Sequence, residues 1–434
     1  MEEVFTFPLK QHIGAPSTPV VTTNDVVKRG QLIAVIPENA MGSNIYASIS
    51  GTVTAVTPEA VEIKADENQR EDYVPLQGKD PLELIKAAGI VGLGGAGFPT
   101  YVKLGKPLQP GGMVIANASE CEPVLSHNIA AIEKNPKQLI RGLEIAMEVV
   151  HADQGVIAIK AYHTEAIKAL ENAIGDAPIT LHFLPNMYPV GEERAIIREV
   201  KNELLAVDQL PLAANCIVIN SESLCKIQEA VDEKKPLIDK DVTVAGKIKG
   251  DLIQVFPNVR LGTPVHTLLE RAGGLDDDYG ELIMGGPFMG HRTSLDAPIV
   301  KTTGGIIAAE EFLPGPDKIG ILVCACGGDQ ARLEQIAASM GSEVVDVEFC
   351  KQAQLMKNGT RKCENPGHCP GQVQKVMAIK KAGGKAILIS NCTDCSNTVM
   401  SCAPQIKLPV YHCTDGALRA VNHKLIRRMK SQVN

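Results

Sequence analysis

Residues Gly89 to Leu104 read GIVGLGGAGFPTYVKL, five glycines and a Phe-Pro pair set between an apolar run and a lysine. Glycine lacks a Cβ and accepts positive φ, so Gly92, Gly94, Gly95 and Gly97 can turn bare N–H groups toward a phosphate or the edge of a flat ring. Lys103 supplies a positive charge nearby. A lone glycine run is as readily a turn or a close helix contact, so its flanks decide the reading. Downstream, strand-like runs (MVIANA, GVIAIKA, ITLHFL, CIVIN) alternate with helical stretches such as PKQLIRGLEIAMEVV and TEAIKALENAIG. Over residues 79–235 that alternation predicts an α/β domain with a mostly parallel sheet, whose ligands lie at the carboxyl ends of the strands.

Two further segments share the density of small and acidic residues: NASECEP at Asn117–Pro123 and YPVGEERAI at Tyr188–Ile196. The three in this order resemble the C subunit of the Rnf electron-transport complex, with the flavin subunit of respiratory complex I as a more distant relative. The resemblance implies FMN and NADH stacked in one site. It places Gly92, Gly94, Gly95, Gly97, Phe98 and Lys103 against the flavin and dinucleotide, and Asn117, Glu120, Glu122, Glu192 and Asn220 around them. Glu122 and Glu193 would stand at the reacting rings. A carboxylate suits a ribose diol and repels a 2′-phosphate, so NADH is favoured over NADPH. Acids are also common in the first turn of a helix, which is the plainer reading of Glu192 and Glu193. The sequence departs from the family pattern at Val190, where a second glycine is usual, and at Ile219–Ser223.

The 434 residues are 44% hydrophobic, enough for several cores, and their net charge of −7 argues against a nucleic-acid or anionic-membrane partner. The basic run Lys424–Lys430 reads as a solvated helix face. MEEVFTFPLK offers no signal-peptide core, and no stretch reaches eighteen apolar residues, so the expectation is a cytoplasmic chain without a membrane span. Twelve cysteines in a reducing compartment then read as ligands, redox thiols or small buried hydrophobes. Oligomeric state has no signature here.

Residues 1–78 read as short strands broken by turns and resemble the barrel-sandwich hybrid of lipoyl and biotinyl carriers, which also opens the Rnf C subunit. The tip Asn39–Ala47 holds no lysine, so a structural role is expected. In residues 236–315, DVTVAGKIKGDLIQVFPNVRLGTPVHTLLERAGG predicts two strands and a helix closed by Gly-Gly, resembling the SLBB β-grasp fold. SLBB domains also occur in proteins that do no chemistry.

Residues 316–434 lack the paired four-iron motifs of the Rnf C subunit. Instead IGILVCAC, EVVDVEFC, KAILISNCTDC and LPVYHC each end a strand-like run in cysteine, with helical stretches between. Parallel strands share one carboxyl edge, so Cys324, Cys326, Cys350, Cys392, Cys395 and Cys413 should converge there as metal ligands. Cys363 and Cys369 are candidate redox thiols, Cys369 because it precedes Pro370 at an apparent helix start. An iron–sulfur cluster, a thiol–disulfide centre and a structural zinc with His368 or His412 compete; redox use is favoured, because a flavin hands on single electrons. Cys121, Cys216 and Cys225 read as buried hydrophobes.

Fold class is therefore multidomain α/β. The combination of an Rnf-C-like body with a distinct cysteine-rich tail resembles the proline reductase-associated electron-transfer proteins (PrdC) of amino-acid-fermenting clostridia. That resemblance implies electron flow from NADH through FMN and a cysteine or iron–sulfur centre to a partner reductase, D-proline reductase. The alternative is a non-catalytic adaptor that keeps the fold and docks a reductase.

Overall fold

A computed structural model describes residues 3–427. At the N-terminus, Val4–Pro8, Ala60–Ala65, Gly51–Val56 and Val26–Val27 form one antiparallel sheet, and Thr18–Pro19, Leu32–Val35 and Ile45–Tyr46 a second. Their alternating inward residues, among them Phe5, Phe7, Ile33, Ile45, Val53 and Ile63, close a core that also takes in Val91 and Leu93. The glycine stretch is thus anchored in the neighbouring module by its two apolar residues. The lysine-free tip supports it from the other side. Ser43 Oγ donates to Gly89 O at 2.7 Å, Asn44 Nδ2 to Ala87 O at 3.2 Å, and the fully buried Lys301 Nζ donates to Ser43 Oγ, Asn44 O and Gly89 O. Among the described residues no carboxylate offsets its burial, which lowers the Lys301 pKa to about 7.

Next comes a four-stranded parallel sheet in the order Ile179–Leu184, Gln154–Lys160, Met113–Ala118, Cys216–Asn220, with helices Pro136–Val150, Thr164–Ile174 and Ser221–Asp232 packed around it. Met113–Ala118 comes first in the chain yet lies inside the sheet, so the connections leave it in opposite directions. The carboxyl ends of Met113–Ala118 and Cys216–Asn220 are therefore where a ligand crevice is expected.

The third unit is a mixed sheet ordered Ile253–Arg260, Asp239–Gly246, Gly305–Ala309, Glu281–Met284, His291–Arg292, its central pair parallel. Helix Val265–Arg271 covers one face and ends on Gly273 and Gly274, both at positive φ. Asp239 joins three units through Arg29 at 3.1 Å, Lys226 at 2.9 Å and Lys235 at 3.0 Å. Burial works against its charge, but the two ammonium groups hold its carboxyl well below the ordinary carboxylate range.

The last unit is a parallel sheet ordered Glu343–Phe349, Lys318–Val323, Ala386–Ile389, Val410–His412, with a small hairpin of Ala353–Leu355 and Arg361–Cys363. It meets the third unit through Glu281, which binds Arg332 and Arg292. Of the basic run at its end, residues 424–427 are described and are not helical. Within the described residues Arg427 reaches back to the buried Asp415 at 2.6 Å, because an interior carboxylate needs a cation; Arg428–Lys430 lie outside the described residues. Among those described, no helix is long and apolar enough to cross a membrane.

Candidate functional site

The glycine loop lies over the crevice. Gly92 N–H donates to Phe98 O at 2.9 Å, Ser223 Oγ accepts from Leu93 N–H at 3.1 Å and donates to Val91 O at 3.0 Å, and these bonds fix both ends of the loop. Between them Gly94, Gly95 and Ala96 are exposed. A Cβ on Gly95 would meet nothing within 4 Å, whereas one on Gly94 would overlap the side-chain nitrogen of Asn220. Gly97 sits at φ +73° with His12 Cα and Thr302 Cγ2 at 3.0 Å from a Cβ position, so glycine is required there for the turn itself. Phe98 is half-buried just beyond.

Lys103, on the short helix Thr100–Lys103, forms an ion pair with Glu193, the first residue of helix Glu193–Lys201, and donates to Val218 O at 3.1 Å. Ninety residues apart in sequence, the two meet at the crevice. Asn117 ties the strand end to the third motif, its Nδ2 donating to Gly191 O at 3.0 Å and its Oδ1 accepting from Ser119.

The remaining acids are turned elsewhere. Glu120 accepts from Asn128 N–H at 2.8 Å and Nδ2 at 3.2 Å at the start of helix His127–Lys134. Glu122 accepts from Phe288 and Met289 N–H, both at 2.8 Å, so it binds the third unit, and burial raises its pKa to about 7. Glu192 caps its own helix through Arg194 and Ala195 N–H and pairs with the Arg194 side chain at 3.1 Å. Asn220 Oδ1 caps helix Ser221–Asp232, leaving only its Nδ2 beside Gly94. For Glu192 and Asn220 the capping chemistry of a helix start prevails over an outward-facing role.

The thiols form a second centre. Cys324, Cys326, Cys350, Cys363, Cys392 and Cys395 are buried in one cluster, with Cys369 packed against it. The Sγ atoms of Cys350 and Cys395 are 3.9 Å apart, and Gln372 Nε2 reaches the sulfurs of Cys350 at 3.2 Å, Cys369 at 3.3 Å and Cys395 at 3.7 Å. Cys413 does not join. It packs with Ile319, Leu333 and Phe312 on the helix-covered side of the sheet, and burial pushes its thiol up to about 12. Cys363, from the hairpin, takes its place in the cluster.

Not all of these thiols can ionise together. Cys324 is held well below the ordinary thiol range by hydrogen bonds from Cys326, Cys350, Cys392 and Cys395, and donating those bonds pushes those four upward. Cys369 is pulled down to about 6 by Cys395, and then, against burial, by Thr398, Gln372 and Gly371 N–H. The helix beyond Pro370 begins only at Val373, so these donors replace the helix dipole as the cause.

Among the described residues, no three His, Cys, Asp or Glu side chains are already arranged to hold a metal ion. His412 is taken up by Asn391 O at 2.8 Å and Thr414 Oγ1 at 2.9 Å, which removes it as a zinc partner. Yet Asn391, between the strand and Cys392, is fully buried with neither side-chain atom hydrogen-bonded, and Arg194 Nη1 is likewise orphaned. Such atoms mark a place where a polar group is expected.

One segment is shared by both centres. Tyr188, which opens the third motif, exchanges bonds with Thr393: its N–H donates to Thr393 Oγ1 at 3.3 Å and its carbonyl accepts the Thr393 hydroxyl at 3.1 Å. Its ring stacks on Phe288 at 3.7 Å, and Phe288 meets His412 edge-on at 5.3 Å. Arg194 Nη2 donates to Cys363 O at 2.5 Å, and Arg198 to Asn365 and Pro366. Cys121, expected as an inert hydrophobe, accepts from Gly191 N–H at 3.3 Å on the same wall. Tyr188, Arg194, Gln372, Thr393 and Phe288 were missed by sequence reasoning, since each works through a partner far along the chain; Tyr188 and Arg194 lie in the YPVGEERAI stretch and Thr393 in KAILISNCTDC, but nothing there announces their contacts.

Residues 1–70 match the RnfC barrel-sandwich hybrid domain, and residues 85–229 match the Nuo51 FMN-binding domain. The C subunit of the proton-translocating ferredoxin:NAD(+) oxidoreductase complex of Clostridium ljungdahlii is 32% identical over 70% of this chain and 70% of its own. The chain belongs to the Rnf C-subunit family. It is also 32% identical to the C subunit of the ion-translocating oxidoreductase complex of Pseudomonas aeruginosa, over 76% of this chain but 45% of that protein, and 36% identical to the cobalamin reductase PduS of Salmonella typhimurium, over 54% and 50%. The chain thus spans about half the length of some relatives and 70% of another. FMN is the cofactor of the matched central domain, and the exposed Gly94–Ala96 backbone, with open space beside Gly95, fits a flat ring.

Proposed function

We propose that the chain carries electrons from NADH, through FMN at the glycine loop, to the sulfur cluster and on to a partner reductase. The observation that carries this reading is the shared wall: Tyr188–Arg194 lines the crevice through Gly191 and Glu193, and touches the thiol centre through Thr393 and Cys363. FMN, when bound, would split a hydride's two electrons into single steps. The protein's part is to orient. Gly94 and Ala96 would offer N–H groups and Gly95, whose own N–H donates to Gly92 O at 3.4 Å, a flat floor; Lys103 would supply a cation whose charge Glu193 balances, and Asn117 would hold Gly191 in place. Burial of Tyr188 and Phe288 keeps water out between the centres. A subset of the seven thiols would hold an iron–sulfur cluster as the single-electron acceptor, and Asn391 and Arg194 offer the unused polar atoms such a group would need.

The order of the mixed sheet in residues 236–315 supports an SLBB β-grasp assignment, and the tail without paired four-iron motifs supports D-proline reductase as the partner rather than a membrane complex. An anaerobic absorption spectrum tests the first step. Flavin bands that bleach on adding NADH to FMN-loaded protein support the reading; a chain that neither binds FMN nor oxidises NADH with artificial acceptors is the adaptor. The engagement of Glu120, Glu122 and Glu192 in internal bonds is what favours that second reading.

A further inference from the structure

The chain carries a net charge of −7, yet Lys351–Lys385 contains eight basic residues against one acid, Glu364. This segment wraps the thiol cluster, contributing Cys363, Cys369 and Gln372. Some of its charge is used internally: Lys375 pairs with Glu348, Lys385 with Asp317, and Arg361 lies over the Phe349 ring. Lys351, Lys357, Lys380 and Lys381 are exposed and have no carboxylate partner among the described residues. Isolated surface lysines are ordinary, but Lys351 adjoins the thiol cluster and Lys380 and Lys381 end the helix that leaves it. Lys351 N–H donates to Gln372 Oε1 at 3.5 Å, and that side chain reaches three sulfurs. From Gln372 helix Val373–Lys381 runs outward, and its spacing puts Val373, Met377 and Lys380 on one stripe. Val373 is 54% exposed and Met377 49%. Cys369, half-buried, is the cluster thiol at the foot of this stripe; Cys324, Cys326, Cys350, Cys363, Cys392 and Cys395 are buried. One acid stands beside it, Asp394, whose carboxylate accepts the Cys369 N–H at 2.6 Å.

We propose that this face, Lys351, Cys369, Val373, Met377, Lys380 and Lys381, is the docking site of an acidic redox protein. An apolar centre with a charged rim is the make-up of a transient interface, and a rim of one sign sets partner choice and encounter rate. A protein seated there would cover Cys369 and come to the edge of the sulfur cluster. The inference rests on the electron-transfer reading for its purpose, but its test needs neither NADH nor FMN.

The whole protein, prepared without oxygen, is titrated into a fluorescein-labelled polyglutamate peptide at low salt, and binding is read by fluorescence polarisation. K351E/K380E/K381E should weaken binding by at least about tenfold, and V373S/M377S should weaken it severalfold, while K134E/K137E/K168E, with the same change in net charge on the central domain, should leave the face intact and lose far less. Equal losses in both triple variants would overturn the proposal, since binding would then follow net charge alone. Duplex DNA of matched charge bound more tightly than the peptide at this face would also overturn it, in favour of a nucleic-acid surface. Failure of NADH to bleach the flavin, with the binding pattern intact, would sink the electron-transfer reading and leave the docking face standing.

Discussion

The crevice at Gly92–Gly97 is built of backbone within a few residues of one another, whereas the thiol cluster is built of side chains drawn from five separate stretches between Cys324 and Cys395. The first needs glycine where a side chain would intrude and tolerates change around it. The second needs every stretch to arrive, and it depends on Thr393 and Arg194 to fix it against the crevice. A local site is therefore broken by adding atoms, and a convergent one by removing a single contact.

The largest effect should come from Gly95→Val. A Cβ at Gly95 meets no protein atom within 4 Å, so the variant should melt within about 2 °C of the parent while FMN binding, followed by flavin fluorescence quenching, weakens at least about a hundredfold. An unaltered FMN affinity would remove the loop from the site. Next in size is Cys395→Ser. Flavin reduction by NADH, watched by stopped-flow bleaching, should proceed as before, and transfer onward to an acceptor should stop. Equal loss of both steps would mean that the two centres are not separable.

Glu193→Gln sharpens the comparison from the crevice side. The Lys103–Glu193 pair is partly exposed, so its removal should alter stability by no more than about 1 kcal/mol. NADH-dependent dye reduction should nevertheless fall by at least about tenfold if Glu193 orients the nucleotide. A drop in stability without a drop in rate would assign the pair to the fold.

The same division explains what could be read from the chain. The parallel sheet and its crevice were legible because strand-like runs, helical runs and Gly92–Gly97 are each local signals. The convergence of Cys324, Cys350 and Cys392 was legible too, because parallel strands end on one edge. Cys413 follows the edge strand of that sheet, and its side chain turns into the helix-covered core, a choice of face that one cysteine after a three-residue strand does not announce. Glu120 and Glu122 have the composition of a ligand site, but their partners, Asn128 and Phe288, are set by chain reversals that leave no pattern in a single sequence, whereas Glu192 takes the helix-start role that acids commonly fill. Gln372 is the clearest such case: one amide side chain beside three sulfurs, recognisable only once the sulfurs are in place.

The smallest expected effect concerns Glu122, which separates a structural acid from a catalytic one. Its carboxylate holds two N–H groups of the third unit, so Glu122→Gln should destabilise by about 1–3 kcal/mol near pH 5. Burial raises its folded pKa to about 7, from the ordinary value of 4.5. Between those two values the folded chain holds a proton that the unfolded chain has lost, so this group's contribution to stability falls as pH rises through that window and is level above it. Glutamine cannot lose a proton. The gap between parent and variant in urea midpoint should therefore narrow from pH 5 to pH 7.5. A constant gap would show that the two N–H donors outweigh burial and keep Glu122 charged throughout, and in that case the interface of the second and third units is held by an anion rather than by a neutral acid.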